Sequence, residues 1–152
     1  MLRFSSLGVL TAILLTPTSV WSHGSFAAGE PGDPSKPART IELNMIEGSG
    51  TMGYSVDRVE VKKGEQIRFR ITNAGALAHE FMLDSIERNA KHKIEMQKNP
   101  EMEHDDPNGV RLEPGKVSEI LWKFENEGTF EFACLIPGHY EAGMHGTVVV
   151  KP

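Results

Sequence analysis

The chain has 152 residues, with 16 Lys and Arg against 21 Asp and Glu, for a formal net charge of −5. That length suffices for one domain with a real core, and the acidic balance excludes nucleic-acid binding that works by neutralising phosphates. A single cysteine, Cys134, excludes an internal disulfide.

Met1-Leu-Arg3 is a short basic start, and Leu7 to Leu15 is an apolar run of the length of a secretory h-region. It falls short of the ~20 residues a spanning helix needs, so residues 1–22 are expected to be a signal peptide. Cleavage would follow Val20-Trp21-Ser22, with Ser25-Phe26-Ala27 as a second candidate. Its removal takes away Arg3 and no acid, moving the charge from −5 to −6. The expected location is therefore the periplasm, with no membrane span after cleavage. An unpaired thiol in such an oxidising compartment is a liability unless something, such as a metal, holds it.

Residues 23–39, with Pro31, Pro34 and Pro37 among Gly, Ser and Ala, read as a flexible leader, and the folded domain is expected over 40–152. Thr40 to Ile46 alternates apolar and polar residues like a strand with one buried face, and Glu47-Gly-Ser-Gly50 breaks it. Val56–Val61 and Ile67–Ile71 alternate around a tight turn at Lys63-Gly64, and His79-Glu-Phe-Met-Leu83 is a further short strand. Ser85 caps a helix running to Lys98, with Ile86, Ala90 and Ile94 on its expected apolar face and Asn99-Pro100 ending it. A polar loop covers 99–109. Strand patterning resumes at Val110–Leu112, Ser118–Phe124, Gly128–Ala133 and Gly146–Val150. Short strands with Gly and Pro turns indicate an all-β sandwich or barrel, interrupted by one short helical insertion.

The Gly128–Ala133 strand leads into Cys134-Leu-Ile-Pro-Gly-His139-Tyr-Glu-Ala-Gly-Met144. Each residue alone has an ordinary reading: Cys134 a small buried hydrophobe, His139 a solvated loop residue, Met144 a core plug, His79 a satisfied histidine at a strand start. Together they are a thiolate, two imidazoles and a thioether, the donor set of a blue-copper site with a long axial methionine. Gly138, Gly143 and Gly146 allow sharp turns under a metal, and Pro137 stiffens the loop between two ligands. Zinc, the main rival, prefers four firm N/S ligands and gains little from a thioether. Haem attachment needs paired cysteines before a histidine, and these are absent.

From about Ile41 to Lys151 the chain resembles a cupredoxin, the family of plastocyanin, azurin, rusticyanin and auracyanin. The Cys-x4-His-x4-Met spacing of Cys134, His139 and Met144 is similar to the ligand loops of the rusticyanin and auracyanin types. With His79-Glu-Phe-Met-Leu and His104-Asp-Asp-Pro-Asn, it looks most like the exported bacterial cupredoxins linked to copper tolerance. The resemblance implies a Greek-key β-sandwich holding one type 1 copper. His79, Cys134 and His139 would be its equatorial ligands and Met144 its axial one. Many cupredoxins place Asn directly after the upstream histidine, where it ties the two ligand loops together. Here that residue is Glu80, so Asn73 is expected to take the tying role. A carboxylate beside copper would lower the potential unless protonated or turned away.

Four protein ligands leave no open position for a substrate, so the expected activity is electron transfer and not catalysis. Electrons would pass through His139 to an unidentified redox partner protein, with the carrier a monomer. Cuprous oxidation is the one enzymatic reading kept, since nitrite reductases and multicopper oxidases need further His-rich centres and domains. The alternative function is copper binding, buffering or oxidation for tolerance. It draws on Met45, Met52, Met82, Met96, Met102, His92, His104 and His145. Of these, His92, Met96, Met102 and His104 gather in the insertion as a candidate second copper site, although His92 and Met96 at i,i+4 also suit plain packing. An N-terminal His23, exposed by cleavage, is a further candidate chelator.

Overall fold

The computed structural model describes residues 25–100, 102 and 106–152. The expected signal peptide, His23 and His104 lie outside the described residues.

Among the described residues, ten strands and one helix follow in chain order. They are β1 (Gly29–Pro31), β2 (Arg39–Glu47), β3 (Met52–Tyr54), β4 (Arg58–Lys62), β5 (Gln66–Asn73), β6 (His79–Asp84), α1 (Ile86–Lys98), β7 (Gly109–Leu112), β8 (Val117–Phe124), β9 (Gly128–Ala133) and β10 (His145–Lys151). One sheet has the order β1-β8-β5-β2-β3 and the other β4-β10-β9-β6-β7. The pairs β2/β5 and β10/β4 are parallel; the remaining pairs are antiparallel. Connections therefore cross between sheets, and the all-β sandwich read from the sequence is the architecture present.

Alternation supplies the core. Ile67, Phe69 and Ile71 of β5 and Ile120, Trp122 and Phe124 of β8 are buried inside one sheet. They meet Phe81, Phe130, Phe132, Val148 and Val150 from the other. Phe81 and Phe132 stack at 5.4 Å between centroids. The Lys63-Gly64 turn is present, with Gly64 at φ +82°.

Two short strands were not expected. β1 pairs with β8, Ala28 is fully buried, and Phe26 packs edge-on against Trp122 at 5.2 Å. The described part of the leader expected over 23–39 therefore adds an edge strand to the sheet. Its Pro31 is tolerated there because an edge strand has one row of unpaired N–H positions. β3, beyond the Gly48–Gly50 break, pairs back on β2 at Met45↔Tyr54.

The helix sits as expected but faces the other way. Ser85 caps it by accepting the Arg88 N–H at 3.2 Å. Its buried residues are Asn89 and Met96, while Ile86 and Ile94 are half-exposed at 54% and 50%. Asn89 decides the rotation. Its Nδ2 donates to the main-chain oxygen of Glu131 at 3.3 Å and to the Glu131 carboxylate at 3.1 Å. Met96 closes a second cluster with Met82, Ala133 and Leu135 on the outer side of the sheet. β6 and β9 are consequently buried on both faces.

Candidate metal centre

Two segments meet at one end of the sandwich: the start of β6, bearing His79, and the loop between β9 and β10, bearing Cys134, His139 and Met144. That loop is closed by its own main chain. Cys134 N–H donates to the Met144 oxygen at 3.0 Å, Met144 N–H to His139 at 3.1 Å, and His139 N–H to Ile136 at 3.0 Å. Gly138 and Gly143 take φ of +89° and +103°, so both turns use the freedom read from the sequence. Gly146 does not turn. It lies in β10, where an added Cβ would come within 2.2 Å of Cζ of Phe132, so its role is close packing. β3 braces the loop from outside through the Met52 N–H, which donates to the Ala142 oxygen at 3.0 Å.

One donor atom from each of His79, Cys134 and His139 lies within 4.8 Å of the others. Nδ1 of His79 and Nδ1 of His139 are 3.1 Å apart, and Sγ of Cys134 is 3.4 Å from Nδ1 of His139. Two ring nitrogens at that separation can share only one proton, and a cation bound by both would take that proton's place. Met144 is fully buried and shares the core cluster with Cys134. His79 is fully buried; His139 is half-buried and forms the outer edge of the group. One soft thiolate and two imidazoles fit copper by their chemistry.

Burial pushes the Cys134 thiol up to about 12, against the Glu80 and Ile136 main-chain N–H groups, which favour the thiolate. His139 is shifted down, first by burial and then by its neighbour His79. Both shifts favour the uncharged form of the group in the metal-free pocket.

Glu80 is buried and joins the two segments. Its main-chain N–H donates to Cys134 Sγ at 3.3 Å, and its carboxylate accepts the Leu135 N–H at 3.2 Å. Strand alternation sets its side chain on the Met82 side of β6, opposite His79 and Phe81. Asn73, expected to take this tie, does other work. Its Nδ2 donates to the Leu77 and Leu112 oxygens, both at 2.8 Å, and its Oδ1 accepts the Gly75 N–H at 2.9 Å. It fixes the turn before His79 and does not reach the cysteine loop.

Sequence reasoning passed over Glu47. Its Oε1 accepts from Nε2 of His79 at 2.9 Å, from Ala76 N–H at 2.8 Å and from Leu77 N–H at 2.9 Å. The Leu77 N–H first, and then the His79 ring, hold this carboxyl below its ordinary range. Nothing local marked it, because its partners lie 29 to 32 residues away.

In the insertion, Met102 packs against the cluster that contains Met82 and Met96, and His92 is half-buried on the helix face turned inward. Tyr140 donates its hydroxyl to Glu131 at 2.8 Å, and Lys93 lies 4.3 Å above its ring, so the helix also contacts the cysteine loop. Met45 is a fully buried core residue.

The chain belongs to the plastocyanin/azurin family of copper-binding proteins, whose profile matches residues 41–151. It is 46% identical over 123 residues to the copper-resistant cuproprotein CopI of Rubrivivax gelatinosus, covering 81% of this chain and 73% of that one. To the protein of the same name from Pseudomonas aeruginosa it is 36% identical over 160 residues, covering 86% of each. Among solved structures, the dithionite-reduced auracyanin of Roseiflexus castenholzii superposes with a TM-score of 0.63 at 24% identity, over 77% of this chain and all of that one. Auracyanin A of Chloroflexus aurantiacus does so at 0.61 and 20% identity, over 76% and 100%. The cupredoxin fold is thereby established.

Proposed function

We propose that the protein is an exported, monomeric cupredoxin with one type 1 copper, held equatorially by His79, Cys134 and His139 and axially by Met144. In this reading it works as a one-electron carrier in the service of copper tolerance. The observation that carries the reading is the convergence of one ring nitrogen each from His79 and His139 with Sγ of Cys134, all within 4.8 Å. Copper held by such donors supplies a Cu(II)/Cu(I) couple.

The residues suit that role. His79, Cys134 and Met144 are fully buried, so water and substrates are kept from three of the four donors. His139, half-buried beyond Gly138, is the edge through which an electron reaches a redox partner. The loop bonds from Cys134 to Met144 hold the donors in one arrangement, which keeps reorganisation small when the charge changes. Tolerance as the physiological setting is supported by the 46% identical relative named for copper resistance. The apolar run at Leu7–Leu15 supports export to the periplasm.

A second reading is copper buffering or cuprous oxidation without a dedicated carrier role. It is favoured by Met82, Met96 and Met102 sharing one cluster outside the main core, since thioethers select Cu(I).

The deciding experiment loads the mature protein with copper and measures copper per chain and the visible spectrum in one sample. One copper with an intense thiolate-to-copper band supports the carrier. Two or more, with the excess lost on substituting Met96 and Met102, support buffering. Absence of an intense band would defeat the four-ligand assignment.

A further inference from the structure

We propose that Glu47 is a positioning residue for this centre: it fixes the His79 ring through Nε2, turns Nδ1 into the site, and biases the site toward the oxidised metal. The proposal rests on His79 being a copper ligand.

Glu47 closes β2 at the point where the Gly48–Gly50 segment interrupts the strand. Its single oxygen Oε1 gathers three donors: the His79 ring and the main-chain N–H groups of Ala76 and Leu77. The last two belong to the turn that delivers His79 into β6. One carboxylate therefore sets both the path of the chain and the orientation of the ring it carries.

Position 75 is shaped to allow this approach. A Cβ added at Gly75 would lie 2.3 Å from Oε1 of Glu47 and 3.0 Å from Nε2 of His79. Any side chain there would push the carboxylate off the ring. Asn73 holds the same turn from inside, through Gly75 N–H and the Leu77 oxygen.

The chemical consequence follows from the tautomer. The His79 ring is fully buried, so the bond at one nitrogen decides which nitrogen carries the proton. A carboxylate can only accept. The proton sits on Nε2, and Nδ1 presents its lone pair toward His139 and Cys134. A carboxylate on the far nitrogen of a ligating imidazole also raises the basicity of the near one. That favours the more positive oxidation state. Glu80, which the sequence brought forward as the carboxylate to consider, points to the other side of β6 and bonds Leu135 instead. Glu47 is the acid in line with a ligand.

The test compares wild type, Glu47→Gln and Glu47→Ala by reduction potential, by Cu(II) affinity, and by nitrogen NMR of the His79 ring in the metal-free proteins. Glutamine keeps an oxygen for the three donors and removes only the charge. In wild type the metal-free His79 ring should be the Nε2–H tautomer, and Glu47→Ala should lose that preference. Glu47→Gln should keep the intense band while its Cu(II) affinity falls roughly tenfold against Cu(I), a rise of about 59 mV for a one-electron couple. Glu47→Ala should lose roughly 10- to 100-fold in Cu(II) affinity. An unchanged potential in Glu47→Gln, beside a wild type with the band, would overturn the positioning role and leave the copper site standing. A wild type with no band would overturn the copper site itself. Should Glu47→Ala fail to fold, the potential of Glu47→Gln decides the matter, because a merely structural acceptor would not move it.

Discussion

Glu80 binds Cys134 and its neighbour from one residue: main-chain N–H to Sγ at 3.3 Å, and carboxylate to the Leu135 N–H at 3.2 Å. The strand that carries His79 and the loop that carries Cys134 are thereby joined before any metal enters. Glu80→Gln retains an acceptor and should fold with the metal site intact. Glu80→Ala leaves a buried N–H without that partner and should cost about 1–3 kcal/mol. Urea unfolding of the metal-free proteins measures this, and equal stability of wild type and Glu80→Ala would show that the tie contributes nothing.

Cys134→Ser should abolish the visible band and preserve the fold, since Cys134 is one small member of a core built mainly by larger side chains. Its metal-free form should also respond differently to alkali. The Cys134 thiol has its pKa raised from 9.0 to about 12 in the folded state, chiefly by burial. Between those values the folded chain keeps a proton that the unfolded chain releases, so stability falls as pH rises above 9. At about pH 10.5 this group alone removes about 2 kcal/mol. Denaturant unfolding of wild type and Cys134→Ser at pH 8 and pH 10.5 should show the wild type losing more. Parallel losses would refute the burial argument.

Met144→Leu conserves volume at a fully buried position and should cost less than about 1.5 kcal/mol. Removing the axial thioether should raise the potential and keep the colour. Voltammetry and the visible spectrum read both; complete loss of copper would mean that the axial assignment is wrong.

The rotation of α1 predicts a ranking. Met96 is fully buried against Met82 and Leu135, so Met96→Ala should cost about 2–5 kcal/mol. Ile94 is half-exposed, and Ile94→Lys should stay within about 0.5 kcal/mol. Thermal unfolding of the two variants with intact metal would give the reverse order if the helix were packed through Ile86, Ala90 and Ile94.

Most strands were legible in the chain because alternation is local: Thr40–Ile46, Ile67–Ile71 and Ser118–Phe124 each show which face is buried without reference to a partner. The candidate ligand loop was legible for a similar reason, since Cys134, His139 and Met144 lie within 11 consecutive residues. β1 and β3 were not. Each has only three residues, and each exists because an edge of β8 or β2 stands ready to pair with it. The helix face was misread because Ile86, Ala90 and Ile94 make a stripe as regular as the buried one. Contacts far away in sequence select between the two faces: Glu131, 42 residues after Asn89, and the Met82 and Leu135 side chains against Met96.

By itself, then, the sequence determined the β-sandwich and the capped helix and put forward His79, Cys134, His139 and Met144 as a candidate donor set, because periodicity, capping and metal preference are written in residue types over short spans. Tertiary structure decided what depends on distant segments arriving together. The carboxylate on His79 is Glu47 and not a neighbour in sequence, the loops are tied by Glu80 and not by Asn73, and the insertion buries Asn89 and Met96. Hydrogen bonds and packing act over a few ångströms, and which side chains come within that range is settled only when the two sheets close.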